Sequence, residues 1–428
     1  MELMIEDQKT IIIIGGGFGG LQLARQLKNS KFRILLFDKQ NHHQFQPLFY
    51  QVASSRLEPS TISFPFRKIF QKFSNLTYHL AEVISIDPGR NEITTSVGDF
   101  TYDYLVIAAG CKTNYFGNKE IERNCLSMKT TGEAIEIRNK ILLGFEKYIS
   151  ANENEKALFL NIVIVGAGAT GVELAGAFAE MKKNILPKDY PHNDFSELKI
   201  IILEGSTHTL NNMSDTSRNA SMKYLKELGV TVMTEVFVEG YDGETVKLST
   251  GGIIKSRNVI WAAGVTGSII KGIDKESTTK SNRYIVDRYN RILGYTDIFA
   301  IGDIAYMETP LYPHGHPQVA NVAINQGRNL ACNLKAENSG KKLNVYEYKD
   351  LGSMATIGKH RAVVDLPFIR IKGYFAWFIW MFLHLMLILS VKNKLMIFIN
   401  WAWYYLTKDT SLRLILDTSR KKSGQEGK

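Results

Sequence analysis

Two glycine-rich turns in this sequence have the spacing that holds a phosphate group against the backbone. The segments 15–20 (GGGFGG) and 166–171 (GAGATG) each carry glycine at their first, third and sixth positions, and each follows a short apolar run. The first glycine permits a tight turn, the second lets a pyrophosphate approach the backbone, and the third lets the next helix pack on the strand. The start of that helix faces the phosphate charge. Two such turns predict two bound dinucleotides.

An acidic residue follows each glycine turn at the end of a second apolar strand. Strand 33–37 leads to Asp38 and strand 199–203 leads to Glu204. A carboxylate at this point hydrogen-bonds a ribose hydroxyl. Glu204 lies 38 residues beyond the first glycine of its turn rather than the usual ~20, and we attribute the excess to a helix extension and loop over 181–197. Because a carboxylate there would repel the 2′-phosphate of NADPH, Glu204 favours NADH.

Three later segments are predicted to complete the two sheets. They are 104–110 (YLVIAAG), 259–264 (VIWAAG) and 298–303 (IFAIGD). Each is predicted to be an apolar strand that ends in small residues, and the last ends at Asp303, directly before a predicted helix. An aspartate there can hold a polyol chain while the helix dipole is directed at a second phosphate.

The order of these segments resembles that of the flavoproteins with two dinucleotide-binding domains. More narrowly, the chain resembles the type II NADH dehydrogenases, which are single-chain NADH:quinone oxidoreductases that do not pump protons. The segments 43–53 (HQFQPLFYQVA) and 166–176 (GAGATGVELAG) carry this narrower resemblance, together with an apolar, tryptophan-containing C-terminus. It implies that NADH passes a hydride to bound FAD and that two electrons then reach a membrane quinone.

The resemblance also implies a fold and its domain bounds. The expected fold class is α/β, with two Rossmann-like dinucleotide-binding domains, the second inserted in the first, plus a C-terminal amphipathic helical membrane anchor. The implied bounds are 1–113 and 283–350 for a discontinuous FAD-binding domain, 114–282 for the NADH-binding domain, and 351–428 for the membrane-anchoring region. We expect no metal, because the paired His42 and His43 and the loop 314–316 lack further ligands at metal-site spacing.

Ligand-binding residues follow from the resemblance position by position. Those implied for FAD are Gly15, Gly17, Phe18, Gly19, Gly20, Asp38, Lys39, Gly110, Gly302 and Asp303. Those implied for NADH are Gly166, Gly168, Thr170, Gly171, Glu204 and Gly264. Glu173 matches a family glutamate near the meeting point of nicotinamide, isoalloxazine and quinone, where it could deliver a proton. The alternative for Glu173 is a carboxylate that is stabilised by the dipole at the start of its helix.

One motif departs from the family pattern. The quinone-side helix usually reads Ala-Gln-x-Ala-x-Gln-x-Gly, whereas 320–327 reads ANVAINQG, with Asn321 and Asn325 in place of the two glutamines. Asparagine keeps the amide donor and acceptor but is one methylene shorter, so we expect a water-mediated or shifted contact with a quinone carbonyl. His384 is also assigned to the quinone side, as a proton relay or ligand. Its alternative is a packing histidine with satisfied hydrogen bonds.

The positive charge of the chain is concentrated at its end. The 428 residues have a formal net charge of +10. Residues 370–428 hold ten Lys and Arg against three Asp and Glu, a net charge of +7, and the first 369 residues hold 42 against 39. The same tail contains four of the five tryptophans. A basic, Trp-rich tail on a nearly neutral body favours an anionic lipid surface over a nucleic acid as a partner.

The apolar stretches of the tail are short for a membrane span. Nineteen residues without a formal charge separate Lys372 from Lys392, and thirteen separate Lys394 from Lys408, whereas a span needs ~20. We therefore expect two apolar helices in the membrane interface, with a true span and a buried homodimer interface as alternatives. Since three scattered cysteines indicate a reducing compartment, the expected location is the cytoplasmic face of the cell membrane, as a peripheral (monotopic) protein.

Two other functions remain open at this point. A sulfide:quinone oxidoreductase has the same architecture but needs paired redox cysteines beside the flavin, which Cys111 and Cys332 could supply only if the fold brings them together. A slow NADH-sensing flavoprotein scaffold that works through partners is the second. Nucleic-acid binding is disfavoured, because no basic helix and no alternation of basic and aromatic residues occurs outside the tail.

Overall fold

The computed structural model describes residues 8–410 and 412–415. These residues form two compact units, each assembled from separate stretches of the chain. The first unit contains 8–44, Phe64–Lys112 and Val265–Asp350, and the second contains Phe45–Ser63, Thr113–Gly264 and the described residues from Leu351 onward. Each unit is built on a parallel sheet with a glycine turn, so the predicted α/β fold class is confirmed. The predicted domain bounds stay a prediction.

The first unit is built on a five-stranded parallel sheet. Across the sheet the strands follow the order Ile298–Ala300, Tyr104–Ile107, Thr10–Ile14, Arg33–Asp38 and Leu76–Leu80. The isoleucine run lies at the centre, and its four isoleucines are buried. Such continuous apolar strands are typical of parallel sheets that are covered on both faces.

Helices cover one face of this sheet and position the first glycine turn. Helix Phe18–Gln26 follows the turn and packs against helix Ala320–Glu337 through buried residues that include Leu23 and Leu330. Smaller elements complete the unit: helix Phe66–Ile69, an antiparallel sheet of Val83–Asp87, Glu92–Thr95 and Gly98–Thr101, and the paired strands Tyr284–Ile285 and Ala305–Tyr306. Further short strands are His42–Gln44, Ser63–Pro65, Cys111–Thr113 and Val265–Gly267.

The second unit repeats the arrangement with four parallel strands. Their order is Thr231–Thr234, Lys199–Glu204, Asn161–Val165 and Asn258–Trp261. The helix after the second glycine turn, Ala169–Asn184, runs for 16 residues and is followed by the short helix Leu186–Asp189. These helices account for the long interval before Glu204, as the sequence predicts.

Other elements of the second unit frame this sheet. Its helices are Phe49–Ala53, Lys119–Asn124, Thr131–Ser150, Glu153–Leu160 and Asp215–Glu227. An antiparallel sheet is formed by Val238–Tyr241, Thr245–Leu248 and Ile253–Lys255. Helix Thr131–Ser150 begins with a capping box, in which Thr130 and Glu133 satisfy each other's backbone N–H groups.

The C-terminal portion forms a small sheet and two helices. Strands Ser353–Thr356, Ala362–Asp365 and Arg370–Lys372 form the antiparallel sheet. The helices are Tyr374–Leu387 and Val391–Thr407, which confirms two apolar helices in the tail. Across the described residues, no helix combines the length and the apolarity needed to cross a membrane.

Candidate functional site

The first glycine turn requires glycine at two of its positions and is open at the third. Gly15 has φ +100°, and a Cβ added to it would lie 2.4 Å from the Ala108 carbonyl oxygen. A Cβ on Gly20 would lie 1.9 Å from the Gly15 carbonyl oxygen. At Gly17, directly before helix Phe18–Gln26, no atom lies within 4 Å of such a Cβ. The turn therefore leaves an open backbone surface where the sequence predicts a pyrophosphate.

The acid at the end of the second strand is tied to this turn. Asp38 Oδ2 accepts the backbone N–H of Gly16 at 2.6 Å, and its Oδ1 accepts that of Gln40 at 2.8 Å. Burial raises the pKa of the Asp38 carboxyl, and these two donors offset part of the increase. Each carboxylate oxygen keeps a lone pair that can accept a ribose hydroxyl.

The side chains of His43 and Phe18 pack beside the first glycine turn. His43 Nδ1 lies 2.9 Å from the Gly16 carbonyl oxygen, and the His43 and Phe18 rings meet edge to face with centroids 5.2 Å apart. Burial lowers the pKa of His43 to about 4, so the ring is neutral near pH 7 and its Nδ1–H donates to the carbonyl. The sequence suggests His43 only as a possible metal ligand, because the contact with Gly16 joins residues 27 positions apart and has no sequence signature.

The other positions implied for FAD differ in their surroundings. Gly110 has φ +66° and open space where a Cβ would lie, whereas a Cβ on Gly19 would lie 3.3 Å from the Ala323 carbonyl oxygen. Lys39 is exposed and pairs with Glu82 at 2.6 Å. Its contact with FAD therefore stays a prediction without support from its position.

Gly302 and Asp303 belong to a single 3₁₀ turn, Gly302–Ile304. The prediction of a helix directly after Asp303 is wrong, because three prolines interrupt the chain before the next long helix begins at Ala320. That helix still reaches the turn, since Gln326 Oε1 accepts the backbone N–H of Gly302 at 2.7 Å. Gln326 is fully buried, and its Nε2 has no hydrogen-bond partner among the described residues. Sequence reasoning named its neighbours and missed Gln326.

The second glycine turn reproduces the geometry of the first. Gly166 has φ +105°, and a Cβ on it would lie 2.8 Å from the Ala262 carbonyl oxygen. A Cβ on Gly171 would lie 2.0 Å from the Gly166 carbonyl oxygen, whereas Gly168 has no atom within 4 Å of that position. The open surface again lies at the second glycine, directly before a helix.

The acid of the second unit also has the same contacts as its counterpart. Glu204 Oε2 accepts the backbone N–H of Ala167 at 2.6 Å, and Oε1 accepts that of Ser206 at 2.8 Å. Thr170 is exposed on the first turn of the following helix, and Gly264 has φ +86° at the end of the edge-strand segment. These residues line the same edge of the sheet as the glycine turn, which is where the carboxyl ends of parallel strands bind ligands.

Glu173 is a buried carboxyl on the helix that follows the second turn. It is 8% exposed, and its Oε1 accepts the backbone N–H of Thr356 at 3.2 Å. Burial raises the pKa of Glu173 to about 8, although the hydrogen bond from the backbone N–H of Thr356 opposes the increase. A carboxyl with such a pKa can hold a proton at neutral pH and release it to an acceptor.

His384 lies in the first tail helix and is half-buried. Its Nδ1 is 2.8 Å from the Trp380 carbonyl oxygen, and its ring stacks on that of Trp380 with centroids 4.1 Å apart. Burial lowers the pKa of His384 to about 4. These contacts are those of a packing histidine, so its assignment to the quinone side stays a prediction.

The two asparagines of the quinone-side motif are partly exposed on helix Ala320–Glu337. They are four residues apart and therefore share one face of the helix. Asn325 Oδ1 accepts a hydrogen bond from Arg328 Nη1 at 3.4 Å. Of their buried neighbours, Ala323 lies against Gly19 of the first glycine turn and Gln326 bonds to Gly302.

The cysteines considered for a redox pair are far apart on the first unit. Cys111 Sγ accepts a hydrogen bond from Gln318 Nε2 at 2.8 Å, just before the helix that begins at Ala320. Cys332 is exposed on that helix, about 18 Å further along its axis. Within residues 8–410 and 412–415 we find no disulfide and no group of three or more His, Cys, Asp or Glu that could hold a metal ion.

Two protein-family models match the chain over complementary ranges. The model described as pyridine nucleotide-disulphide oxidoreductase matches residues 9–327. The model described as NDH2 C-terminal domain matches residues 351–408, which include both tail helices.

Individual proteins resemble this chain along most of its length. The type II NADH:quinone oxidoreductase Ndh of Mycobacterium tuberculosis is 33% identical over 417 residues, which cover 93% of this chain and 88% of that protein. A solved structure of NDH2 from Plasmodium falciparum in complex with NADH has a TM-score of 0.87 at 21% identity, covering 96% of this chain and 100% of that one. The structure of the sulfide:quinone oxidoreductase of Aquifex aeolicus has a TM-score of 0.72 at 20% identity. The match covers 90% of this chain and 92% of that one. At such identities the two structures show the fold alone.

Proposed function

The chain belongs to the family of type II NADH:quinone oxidoreductases, and we propose that it binds FAD at its first glycine turn and NADH at its second. As an enzyme of this family, it oxidises NADH and reduces a quinone without pumping protons. The observation that carries the assignment of the two nucleotides is the repeated contact of an acid with its turn: Asp38 with Gly16 and Glu204 with Ala167, each at 2.6 Å.

The residues of the first turn fit an FAD dinucleotide. The open backbone at Gly17 accommodates a pyrophosphate, and the Asp38 carboxylate accepts a ribose hydroxyl. Gln326 adds a buried amide whose Nε2 has no partner among the described residues, as expected of a group beside a polar ligand. When bound, FAD takes up a hydride and gives up two electrons to a quinone, and the protein supplies orientation and charge stabilisation.

The second turn supports NADH rather than NADPH. Glu204 is held in place by the N–H groups of Ala167 and Ser206, so its carboxylate cannot swing away from a ribose bound at this edge. A ribose 2′-hydroxyl can donate to this carboxylate. A 2′-phosphate would place like charges in contact, which is unfavourable.

Two groups of residues are proposed for the quinone side. Asn321 and Asn325 present amides on one face of their helix, and Glu173 presents a carboxyl that can hold a proton at pH 7. Reduction of a quinone requires protons as well as electrons, which gives Glu173 a chemical role as proton donor. His384 is neutral near pH 7 and hydrogen-bonds within its own helix, which favours its role as a residue that packs on Trp380 over a role in proton transfer.

The tail helices are proposed to lie on an anionic lipid surface at the cytoplasmic face of the membrane. Phe375, Phe382 and Leu406 are 77%, 60% and 78% exposed, so a wide apolar surface faces away from the protein. Lys392 and Lys394 begin the second helix, where they can contact lipid phosphates while aromatic side chains enter the interface. The alternative is that a second copy of the chain covers this apolar surface in a homodimer.

Two experiments test these proposals. NADH added without oxygen should bleach the flavin, and a quinone added next should restore its colour. Failure of NADH to bleach the flavin would contradict the proposal, and bleaching without recolouring would indicate an NADH-sensing scaffold. For the tail, removal of residues 373–428 should release the protein from vesicles that contain anionic lipid. Retention of the shortened protein on the vesicles in high salt and carbonate would contradict the anchor.

A further inference from the structure

An exposed phenylalanine lies at the carboxyl edge of the sheet in the second unit. Of the six phenylalanines in 113–264, all of which the structure describes, four are buried and Phe116 and Phe237 are exposed. Phe237 is 63% exposed and follows strand Thr231–Thr234, which pairs with the strand that ends at Glu204. A single exposed apolar side chain needs no explanation by itself, so the surroundings of this ring decide its meaning.

The chain between that strand and Phe237 is bonded to the turn that follows the acid. The backbone N–H of Val236 donates to the Glu204 carbonyl oxygen at 3.0 Å, and that of Glu235 donates to the Ser206 carbonyl oxygen at 3.1 Å. These bonds extend the pairing of the two strands past their last paired residues. The segment that leads to the ring is therefore held directly beside the acid.

The backbone of Phe237 is also bonded to Ser249. The N–H of Phe237 donates to Ser249 Oγ at 3.0 Å, and its carbonyl oxygen accepts the Ser249 N–H at 2.9 Å. The ring lies over Gly205, where an added Cβ would be 2.5 Å from Phe237 Cε1 and 3.1 Å from its Cζ. Glycine at this position therefore lets the ring rest on the backbone next to Glu204, while much of the ring stays exposed.

The strand order indicates where the base of a bound dinucleotide should lie. The proposed pyrophosphate site is the glycine turn after Asn161–Val165, and the proposed ribose site is Glu204 at the end of the next strand. The strand beyond that one is Thr231–Thr234. Each half of such a sheet binds one mononucleotide, so the base on this ribose should extend from Glu204 toward the third strand. Phe237 follows the carboxyl end of that strand and lies in the path of the base.

We propose that the exposed face of the Phe237 ring is the platform on which the adenine of NADH stacks. An aromatic side chain binds a base through its π-face, and such a contact contributes about five- to a hundredfold to affinity. Phe237 contacts the nucleotide directly, and Gly205 is the positioning residue for the ring. This inference rests on the proposed binding of NADH at the second glycine turn.

Stacking of this kind recognises the flat face of a base and not its hydrogen-bonding edge. Hypoxanthine has a flat face like that of adenine but a different edge, so reduced nicotinamide hypoxanthine dinucleotide should use the platform equally well. Reduced nicotinamide mononucleotide lacks the second base and cannot use it. The platform thus favours dinucleotides over the mononucleotide, whereas Glu204 is the residue proposed to distinguish NADH from NADPH.

The first test measures binding without turnover. ADP-ribose, which has the adenosine half of NADH and no nicotinamide, is titrated into the oxidised holoenzyme by calorimetry. We expect Phe237→Ala to raise the Kd for ADP-ribose at least about fivefold and Phe237→Tyr, which keeps the ring, to stay within about twofold of the native Kd. Phe368→Ala is the matched control, because Phe368 is 98% exposed between strands Ala362–Asp365 and Arg370–Lys372. A native Kd in Phe237→Ala would overturn the platform.

The second test compares three hydride donors. The flavin of the holoenzyme is bleached without oxygen by limiting amounts of NADH, reduced nicotinamide hypoxanthine dinucleotide or reduced nicotinamide mononucleotide. In Phe237→Ala the second-order rate constant should fall at least about fivefold with both dinucleotides and stay native with the mononucleotide. An equal fall with all three donors would show a structural defect instead of a lost base contact and would overturn the platform.

A third test asks whether Gly205 acts through the ring. The Cβ of Gly205→Ala would meet the Phe237 ring, so the ring must move and the Kd for ADP-ribose should rise about threefold or more. In the Phe237→Ala background the same change should leave the Kd unaltered, because the ring that it displaces is gone. Equal increases in both backgrounds would count against the platform.

The outcomes distinguish the platform from the function on which it rests. If NADH bleaches the native flavin but Phe237→Ala binds ADP-ribose as tightly as the native chain does, the platform is wrong and the proposed function stands. If NADH fails to bleach the native flavin, the proposed function is wrong and the platform falls with it. A selective loss with the two dinucleotides, together with rescue by Phe237→Tyr, would support both.

Discussion

The carboxylate of Glu204 accepts the backbone N–H of Ala167 at 2.6 Å, so the acid and the second glycine turn form one rigid edge. Asp38 and Gly16 have the same relationship in the first unit, at the same distance. The acid is thereby held beside the helix start that attracts phosphate charge. If the second turn binds NADH as proposed, the position of Glu204 should determine whether NADH or NADPH is accepted.

Replacement of this acid should weaken the preference for NADH. Glu204→Gln removes the negative charge and keeps an acceptor for the ribose hydroxyl, so repulsion of a 2′-phosphate should fall. We expect the kcat/KM for NADPH relative to NADH to rise about tenfold, which corresponds to roughly 1.4 kcal/mol. Steady-state kinetics with both nucleotides measure this ratio. Glu197→Gln, an exposed charge change nearby in the sequence, should leave the ratio as it is.

Much of this geometry could be predicted from the sequence because it depends on neighbours in the chain. The isoleucine run predicts the strand Thr10–Ile14 to within one residue, and the glycine spacing predicts the open position at Gly17. Local patterns of this kind fix φ values and strand ends. The prediction of a helix directly after Asp303 is wrong for the same local reason, because the prolines at 310, 313 and 317 prevent a continuous helix there.

The contacts that sequence reasoning missed join residues far apart in the chain. Gln326 bonds to Gly302 from the second turn of its helix, and Tyr50 bonds to Thr356 across 306 positions. A glutamine in a helix and a tyrosine in a buried segment are both common, and neither hydrogen bond joins residues at a sequence spacing that a motif would show. Such pairs are created by the packing of whole elements and become visible only once the fold is known.

Substitutions at two glycines of the first turn should affect folding and flavin binding differently. A Cβ at Gly20 would meet the Gly15 carbonyl oxygen at 1.9 Å, so Gly20→Ala should lower the melting temperature by several degrees, for a cost of roughly 2–3 kcal/mol. A Cβ at Gly17 meets no atom, so Gly17→Ala should fold normally but bind flavin poorly. Circular dichroism melting and the ratio of flavin to protein measure the two effects. A full flavin content in Gly17→Ala would place the pyrophosphate elsewhere.

The raised pKa of Glu173 predicts how stability changes with pH. Its pKa of about 8 in the folded chain lies above the ~4.3 of an exposed glutamate. Both states hold the proton below ~4.3. Stability is lost as the pH rises from there through the folded pKa of about 8, because the unfolded chain releases the proton in this range while the folded chain keeps it, and the loss levels off above that value. Glu173→Gln avoids this loss, so its melting temperature relative to the native chain should rise from pH 5 to pH 9, for a difference of up to about 4 kcal/mol. A difference independent of pH would show that Glu173 is ionised at pH 5 already.

A buried ion pair should hold the last helix on the second unit. Arg56 Nη2 donates to Glu180 Oε2 at 2.7 Å, and Tyr404 of the last helix donates to the same oxygen at 2.8 Å. Removal of one partner leaves a buried charge unpaired, so Arg56→Met and Glu180→Gln should each cost about 3–5 kcal/mol. The double variant should lose less than the sum of the two. Protease cleavage within 391–407 and melting temperature report the change, and additive losses would contradict the coupling.

The asparagines of the quinone-side helix offer the most direct test of where the quinone binds. Asn321→Gln and Asn325→Gln each restore the methylene that the family motif has, on a face of the helix that is partly exposed and can accept the longer side chain. If the quinone carbonyl contacts this face, a direct hydrogen bond should replace a longer or water-mediated one and lower the KM for quinone several-fold, since such a bond contributes about 1 kcal/mol. The KM for NADH should not change, because the turn proposed for NADH lies in the second unit and these asparagines lie in the first. Asn329→Gln, one turn further along the helix, is the control, since its side chain already donates to the Asn344 carbonyl. A KM for quinone in all three variants equal to that of the native chain would show that the quinone does not bind on this helix face.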